Sequence, residues 1–355
     1  MRPANTYDPD VVDAQTRPEV ARVAAFGAQQ LGVPSETLRL HTHALRGGLE
    51  SSSVARWVVQ QRDGAGSRKL TFVVKRLDGA QQREAAIYAE VLAHIGNLAP
   101  VLLGVVPAGP DVTYLYLEYV RRARAWPWQE AAAAGRVLDA LATLHARVPS
   151  GRLSGLDLSW DYESELAASA AATLDVFEQV VAGVELAWLG WARGALRRVC
   201  EALPQMRRSL LSAEPFRTAV IHGDVHSANV ILASAQSAER VVLFDWARAR
   251  VGSPLEDVAS WLQSLGYWEP EAKRRHDTLL RRYLVARGQP EILTRGLRDA
   301  YWFAAASNVL AGALRYHLTV AAGGSGAPSR ARADAGRAAR DLLRVLRRAD
   351  LVWRK

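Results

Sequence analysis

Cysteine is almost absent from this chain: Cys200 is the only one in 355 residues. No internal disulfide can form, which agrees with the reducing interior of a cell, and a cytoplasmic protein is expected. Cys200 follows Val199 in a helical run and reads as a small buried side chain. Long apolar runs are missing too. No stretch approaches the ~18 uninterrupted apolar residues of a membrane-spanning helix. The segment Met1 to Pro9 lacks the apolar core of a secretory leader, so neither a leader nor a membrane partner is expected. No internal repeat is visible. Acids are outnumbered, with 36 Asp and Glu against 45 Lys and Arg, a formal net charge of +9. Much of the excess lies beyond Ser329, where nine basic residues face three acids. Such a charge can serve nucleic acid. Here no aromatic interleaving or nucleic-acid-binding signature accompanies it, and Leu342, Leu343, Val345, Leu346 and Leu351 give the same stretch an apolar stripe. A docked helix with a solvated basic face is expected there, not a nucleic-acid partner.

What the chain does carry is concentrated in one place. Residues 222–230 read His-Gly-Asp-Val-His-Ser-Ala-Asn-Val, and Leu243-Phe244-Asp245-Trp246 follows a short hairpin. The apolar run Val230-Ile231-Leu232 leads out of the first motif, and Val241-Val242-Leu243-Phe244 leads into the second. A polar stretch, Ser234 to Arg240, joins them. Two antiparallel strands of this kind return the chain to its start and set Asp245 beside Asn229 and Asp224. Three oxygen-bearing side chains then converge, which suits a hard cation carrying nucleotide phosphates.

A nucleotide kinase also needs a cation on a strand for the phosphates and an acid to hold that cation. The run Leu70-Thr71-Phe72-Val73-Val74-Lys75-Arg76-Leu77 is an apolar strand with Lys75 embedded in it, and Lys is rarely buried without a partner. Gln81 to Leu92 follows and reads as one helix, with Ala85, Tyr88, Val91, Leu92 and Ile95 at helical spacing. Glu84 and Glu90 both lie on it. The residues alone leave either as the partner of Lys75.

Together these motifs resemble the aminoglycoside phosphotransferases and the wider choline-kinase-like group of small-molecule kinases. Asp224 and Asn229 have the catalytic-loop spacing of kinases. Gly223 stands where protein kinases carry Arg, and His-Gly-Asp-x-His is the small-molecule form. Asp245-Trp246 replaces Asp-Phe-Gly. The segment Gly252-Ser253-Pro254-Leu255-Glu256-Asp257-Val258-Ala259 is similar to that group's Gly-x-Pro-x-x-Asp-hydrophobic-Ala pattern. The resemblance covers roughly residues 38–320. It implies that Asp224 is the catalytic base, that Asn229 and Asp245 hold Mg2+, and that Lys75, set by Glu84, grips the phosphates of ATP or GTP. It places a hinge at the Glu118-Tyr119-Val120 step that ends the run Val112–Val120, where the Glu118 C=O and Val120 N–H would bind the base and Leu117 would be the gatekeeper. Gly47 and Gly48, between strand-like runs Leu38–Leu45 and Val54–Gln60, would form the phosphate-covering loop, with Ser51–Ser53 as donors. His222 would brace the loop, and His226 could touch the γ-phosphate. A catalytically silent relative would be expected to lack one of Lys75, Asp224, Asn229 or Asp245, and all four are present.

The chain is longer than one usual core allows, so two lobes are expected. The implied fold class is α+β: a bilobal, protein-kinase-like fold. Residues 1–120 would form an antiparallel-sheet lobe with a leading helix near Pro18–Leu31 and one key helix. Residues 121–355 would form a larger, mainly helical lobe, with helices in Gln129–Arg147, Ser164–Leu189 and Ala331–Leu351 and a flexible linker at Gly323–Ser329. The partner implied is a small-molecule hydroxyl acceptor. Eleven Trp residues are present; the pairs Tyr267-Trp268 and Tyr301-Trp302 fall where the family builds its acceptor site. Asp161, Glu163 and Glu165 form the clearest acidic cluster. Acids are otherwise scattered among arginines such as Arg274, Arg275, Arg281 and Arg282. That weakens a polycationic aminoglycoside as acceptor and favours another antibiotic or natural-product hydroxyl; choline, a sugar or an amino alcohol is the metabolic alternative.

Overall fold

A computed structural model describes residues 18–45, 53–61, 68–128, 130–147, 156, 158, 162–183, 186–212, 218–234, 239–322 and 329–353. The chain divides into two compact units, one of Met1–Ala93 with Ala99–Arg121 and one of His94–Leu98 with Arg122–Lys355.

The first unit begins with helix α1 (Pro18–Leu31) and strands β1 (Leu38–Ala44), β2 (Ser53–Gln61) and β3 (Lys69–Asp78). A short helical turn, α2 (Arg83–Ala86), precedes β4 (Leu102–Pro107) and β5 (Val112–Glu118). The strands form one antiparallel sheet in the order β1-β2-β3-β5-β4. Strand alternation explains the division of faces. Phe72 and Val74 turn one way, with Leu40, Trp57, Val59 and Tyr116, and the apolar stripe Val20, Val23 and Phe26 of α1 covers them. Phe26 stacks on Tyr116 with ring centroids 4.1 Å apart. It also explains the gap at Gly104, whose Cβ would run into the Phe26 ring. Lys75, between Val74 and Arg76, turns to the opposite face.

The expected helix over Gln81–Leu92 is not regular. A 3-10 turn at Gly79–Gln82, the single α turn of α2, a π turn at Ile87–Val91 and a second 3-10 turn at Leu92–His94 succeed one another. The buried apolar residues come in steps of four, Ile87-Tyr88, Val91-Leu92 and Ile95. That step exceeds the α-helical period of 3.6. A wider i→i+5 turn at Ile87–Val91 absorbs the excess.

The second unit is helical around two small antiparallel pairs. Helices α3 (Ala131–Arg147), α4 (Tyr162–Ala182) and α5 (Arg193–Ser212) lead to β6 (Ala219–Ile221), β7 (Val230–Ser234), β8 (Glu239–Leu243) and β9 (Arg250–Gly252). Strand β7 pairs with β8, and β6 with β9. Then come α6 (Pro254–Trp268), α7 (Pro270–Arg274), α8 (His276–Ala286), α9 (Arg295–Asn308), α10 (Leu314–Ala322) and α11 (Ser329–Trp353). The run expected as one helix over Ser164–Leu189 ends at Ala182. Gly183 follows it, and a 3-10 turn at Ala187–Ala192 begins anew. Helix α11 packs on α5, α9 and α10. Leu342, Leu343, Val345 and Leu346 are buried as its stripe requires, but Leu351 is 57 % exposed. Its basic face is not simply solvated: Arg340 lies over the Trp188 ring and Arg347 over Trp191. Cys200 on α5 is only half-buried, and its partial burial still pushes the thiol up to about 11. Among the described residues no helix is long and apolar enough to cross a membrane.

Candidate active site

In the sheet unit, Lys75 is nearly buried between Val54 of β2 and Leu115 of β5. An ammonium in that setting requires a countercharge. Glu84, 1 % exposed, supplies one with Oε2 2.7 Å from Lys75 Nζ. At the end of β5 the Glu118 N–H donates to the Val101 carbonyl (2.9 Å), and the Glu118 side chain accepts from the Val101 N–H (3.2 Å). Leu117 is buried, and Val120 is half-buried just beyond the end of β5. Gly47 and Gly48, with Ser51 and Ser52, lie outside the described residues.

In the helical unit, the β7–β8 pair does what its sequence predicts. Val230 pairs with Leu243, and the Phe244 N–H donates to the Asn229 carbonyl at 2.8 Å, which sets Asp245 one residue from that bond. The Asn229 amide donates to the Asp224 carbonyl at 3.1 Å and reaches the Asp224 carboxylate at 3.5 Å. Its Oδ1 is therefore the atom left for a cation. Asp245 has φ 62° and ψ 72°, a left-handed conformation uncommon outside glycine and better tolerated by Asp and Asn than by most. Trp246 beside it is fully buried, with its indole N–H on the Leu243 carbonyl (3.0 Å).

Asp224 is half-buried. Burial alone would raise its pKa. The neighbouring His226, whose Nε2 lies 3.7 Å away, outweighs burial together with the charges of Arg248 and His222, and brings it down to about 2. His222 braces this loop, as expected. Its Nε2 donates to the Phe244 carbonyl (2.9 Å) and its Nδ1 accepts from the Asp224 N–H (3.2 Å). That pattern fixes one neutral tautomer. Burial holds its pKa below the usual histidine value, against the pull of Asp257 and Asp224.

The supports under the loop escaped the sequence reading, although the segment that holds them stood out. Ser253 caps α6 in a capping box with Glu256, with Pro254 in the first turn. Asp257, fully buried, accepts from the His222 N–H and Gly223 N–H, both at 2.8 Å. His145 Nε2 lies 3.1 Å from the same carboxylate, and its Nδ1 2.8 Å from the Tyr283 hydroxyl. Burial would raise the Asp257 pKa, but the bond from His145 and the neighbouring charges and amide lower it. Glu256 is pinned between two buried guanidiniums, Arg250 at 2.7 Å and Arg207 at 2.8 Å. Arg250 also reaches the Arg248 carbonyl (3.1 Å) and the Gly223 carbonyl (3.5 Å). Gly223 has φ +82°, and a Cβ there would collide with that guanidinium and with the Arg248 carbonyl. Glu256→Gln keeps the shape but leaves two buried cations short of their countercharge. A loss of about 3–5 kcal/mol is expected from the denaturant midpoint, the cost of breaking a buried pair; a shift under about 1 kcal/mol would show that this triad holds nothing.

Of the expected acceptor residues, Tyr301, Trp302 and Glu165 have described side chains. Tyr301 is buried, and its hydroxyl accepts from the Gln263 amide at 2.6 Å. Trp302 is half-buried and parallel to His276, with centroids 5.9 Å apart. The side chains of Tyr267, Trp268 and Glu163, and all of Asp161, lie outside the described residues; Glu165 is exposed. Among the described residues, no group of three or more His, Cys, Asp or Glu side chains could hold a metal.

No curated protein matches the sequence. Solved structures share the fold. The chain is similar to a Plasmodium vivax ethanolamine kinase (11% identity, 97% of this chain and 94% of that one, TM-score 0.59). It is also similar to an aminoglycoside phosphotransferase from Alicyclobacillus acidocaldarius (16% identity, 88% and 91%, TM-score 0.51). A third is a spectinomycin phosphotransferase solved with ADP and spectinomycin (10% identity, 87% and 93%, TM-score 0.55). At these identities the likeness is one of architecture. The sequence itself goes further: residues 41–301, well over half of the chain, match the phosphotransferase enzyme family APH, and the chain belongs to that family.

Proposed function

We propose that this small-molecule phosphotransferase transfers the γ-phosphoryl group of ATP or GTP to a hydroxyl of an antibiotic or other natural product of low positive charge. The observation that supports the chemistry best is the linked trio Asp224, Asn229 and Asp245, joined through the Asn229 amide and the Phe244 N–H. In this reading the ionised Asp224 orients the acceptor hydroxyl and takes its proton. Asn229 and Asp245 offer only hard oxygen donors. One carboxylate and one amide oxygen suit Mg2+, which keeps waters and phosphate oxygens in its shell and seldom has an all-protein cage. Bound there, the ion would supply charge neutralisation for the phosphates. Lys75, fixed by Glu84, grips the phosphates, and the Glu118 C=O and Val120 N–H take the base. Phosphoryl transfer asks chiefly for in-line positioning and charge compensation, which is why so few side chains suffice.

The acceptor reading rests on how the acids of the helical unit are used. Asp139 is held by Arg282, Asp277 by Arg298, Glu178 by Arg193 and Arg197, Glu239 by Arg124 and Arg136, and Asp350 by Arg198. Carboxylates already matched to guanidiniums are poor hosts for a polyamine. The three solved relatives act on acceptors as different as an amino alcohol and spectinomycin, so the panel must span both kinds. Nucleotide consumption from ATP and from GTP, with magnesium, should be screened against aminoglycosides, spectinomycin, nucleoside and macrolide antibiotics, choline, ethanolamine and sugars. The best acceptor should carry at most one or two positive charges. Its KM should change little between low and high salt, because only exposed charge attraction is screened over about 8–10 Å. A tetra-amine as best acceptor, with a KM that climbs steeply with salt, would restore the aminoglycoside reading; an amino alcohol as best acceptor would establish the metabolic one.

A further inference from the structure

A cleft of about 610 Å3 opens on the helical unit where the first turns of α9 meet the last turns of α11. The volume lies within the range of small-molecule sites. Arg295, Arg298, Arg348 and Trp302 line it, with Asp299 the single carboxylate among the described lining residues and Leu351 at its rim.

The guanidiniums are arranged for a ligand in three different ways. Arg298 is clamped by Asp277 through two bonds of 2.9 and 3.1 Å, so its orientation is fixed. Arg348 rests over the Trp302 ring, 5.5 Å from the centroid, a cation–π contact that holds its charge in the cleft. Arg295, 72 % exposed, stands 3.8 Å from Asp299, a loose pairing that a better anion can replace. Counting Asp277 and Asp299 against the three arginines leaves a positive excess. Nearby His276 adds none: burial holds its pKa below the ordinary value, against the pull of Asp277. The Trp302 indole is backed by the parallel His276 ring, inclined by 6°. Leu351, 57 % exposed, offers apolar surface beside it.

A cleft that couples an excess of guanidinium to a braced indole recognises one anionic group on a flat apolar body. We propose that it binds an aryl phosphate monoester or a similarly flat carboxylate, with Arg348 and Arg295 on the anionic group and the body against the Trp302 edge and Leu351. This site uses none of Lys75, Asp224, Asn229 or Asp245, but it shares Trp302 with the region expected to receive the acceptor, so the probes are read as binding and not as turnover.

Calorimetric titration of the full chain tests it, with ADP and magnesium present to occupy the nucleotide's own phosphate positions. The probes are phenyl phosphate, inorganic phosphate and benzylamine. Phenyl phosphate should bind about tenfold or more tightly than inorganic phosphate, and benzylamine should give no heat. The exposed double variant Arg295→Gln/Arg348→Gln should lose about tenfold or more in phenyl phosphate affinity, as expected for charge-assisted bonds. Trp302→Ala should abolish the preference for phenyl phosphate over inorganic phosphate. Equal binding of the two phosphates, binding of benzylamine, or unchanged phenyl phosphate affinity in the arginine variant would each overturn the assignment.

Discussion

Asp224→Asn should lower kcat by about 10²–10⁴-fold, the range for loss of a positioned base, while nucleotide affinity stays near that of the parent. The substitution is nearly isosteric, and the loop does not depend on the lost charge for its shape. His222 holds the Asp224 backbone N–H, Asn229 holds its carbonyl, and Asp257 holds Gly223. What the change removes is an acceptor that is ionised at any working pH, since its pKa sits at about 2. Its sign gives a second expectation. A base this acidic stays deprotonated as pH falls, so Asp224 should produce no acid limb in the kcat profile near neutrality. Single-turnover rates and nucleotide titrations separate the two effects. A variant with near-normal turnover would remove Asp224 from the role of base.

Asp245→Ala should lower activity by about 10³-fold or more, the scale of a metal's contribution to charge stabilisation, and added magnesium should not restore it. The left-handed backbone at 245 adds a complication, because Ala accepts φ 62° less readily than Asp. Asp245→Asn, which tolerates that conformation, keeps the test clean: it should fold like the parent and still lose most activity. A binding readout accompanies the rate. Nucleotide and magnesium together should raise the parent's melting temperature more than nucleotide alone, by the linkage of binding to folding. The variants should lose that metal-dependent increment. Full activity in the presence of a chelator would contradict the mechanism as a whole.

Much of this arrangement was legible because it is local. The apolar runs announced β1, β2, β3 and β5 to within a residue or two, and one Lys inside such a run required a partner near it in the chain. The β7–β8 return brought Asn229 and Asp245 together for the same reason: sixteen residues and two strands leave little freedom. The parts that stayed hidden depend on distant segments. Glu256 meets Arg207 across 49 positions, and no periodicity predicts which of many arginines will be buried with it. The irregular turns after Glu84 arise from packing that a helical wheel cannot express. Trp188 and Trp191, 43 % and 46 % exposed, are neither core nor binding box; they lie beneath arginines of α11, a pairing set only once that helix docks.

Gly223 and Arg250 bear on how such a loop can drift through sequence space. Protein kinases carry an arginine at the position of Gly223, but here the space beside that residue already holds a guanidinium, delivered from β9 by Arg250. The left-handed φ closes the position to ordinary side chains, and Arg250 fills what room remains. A single step to Arg at 223 should therefore be rejected, and so should loss of Arg250 alone, which leaves Glu256 half-matched. A side chain at 223 requires that Arg250 give way and the backbone relax together. The two positions should be strongly non-additive in a double-mutant cycle. Grafting this loop elsewhere without β9, which delivers Arg250, should fail for the same reason.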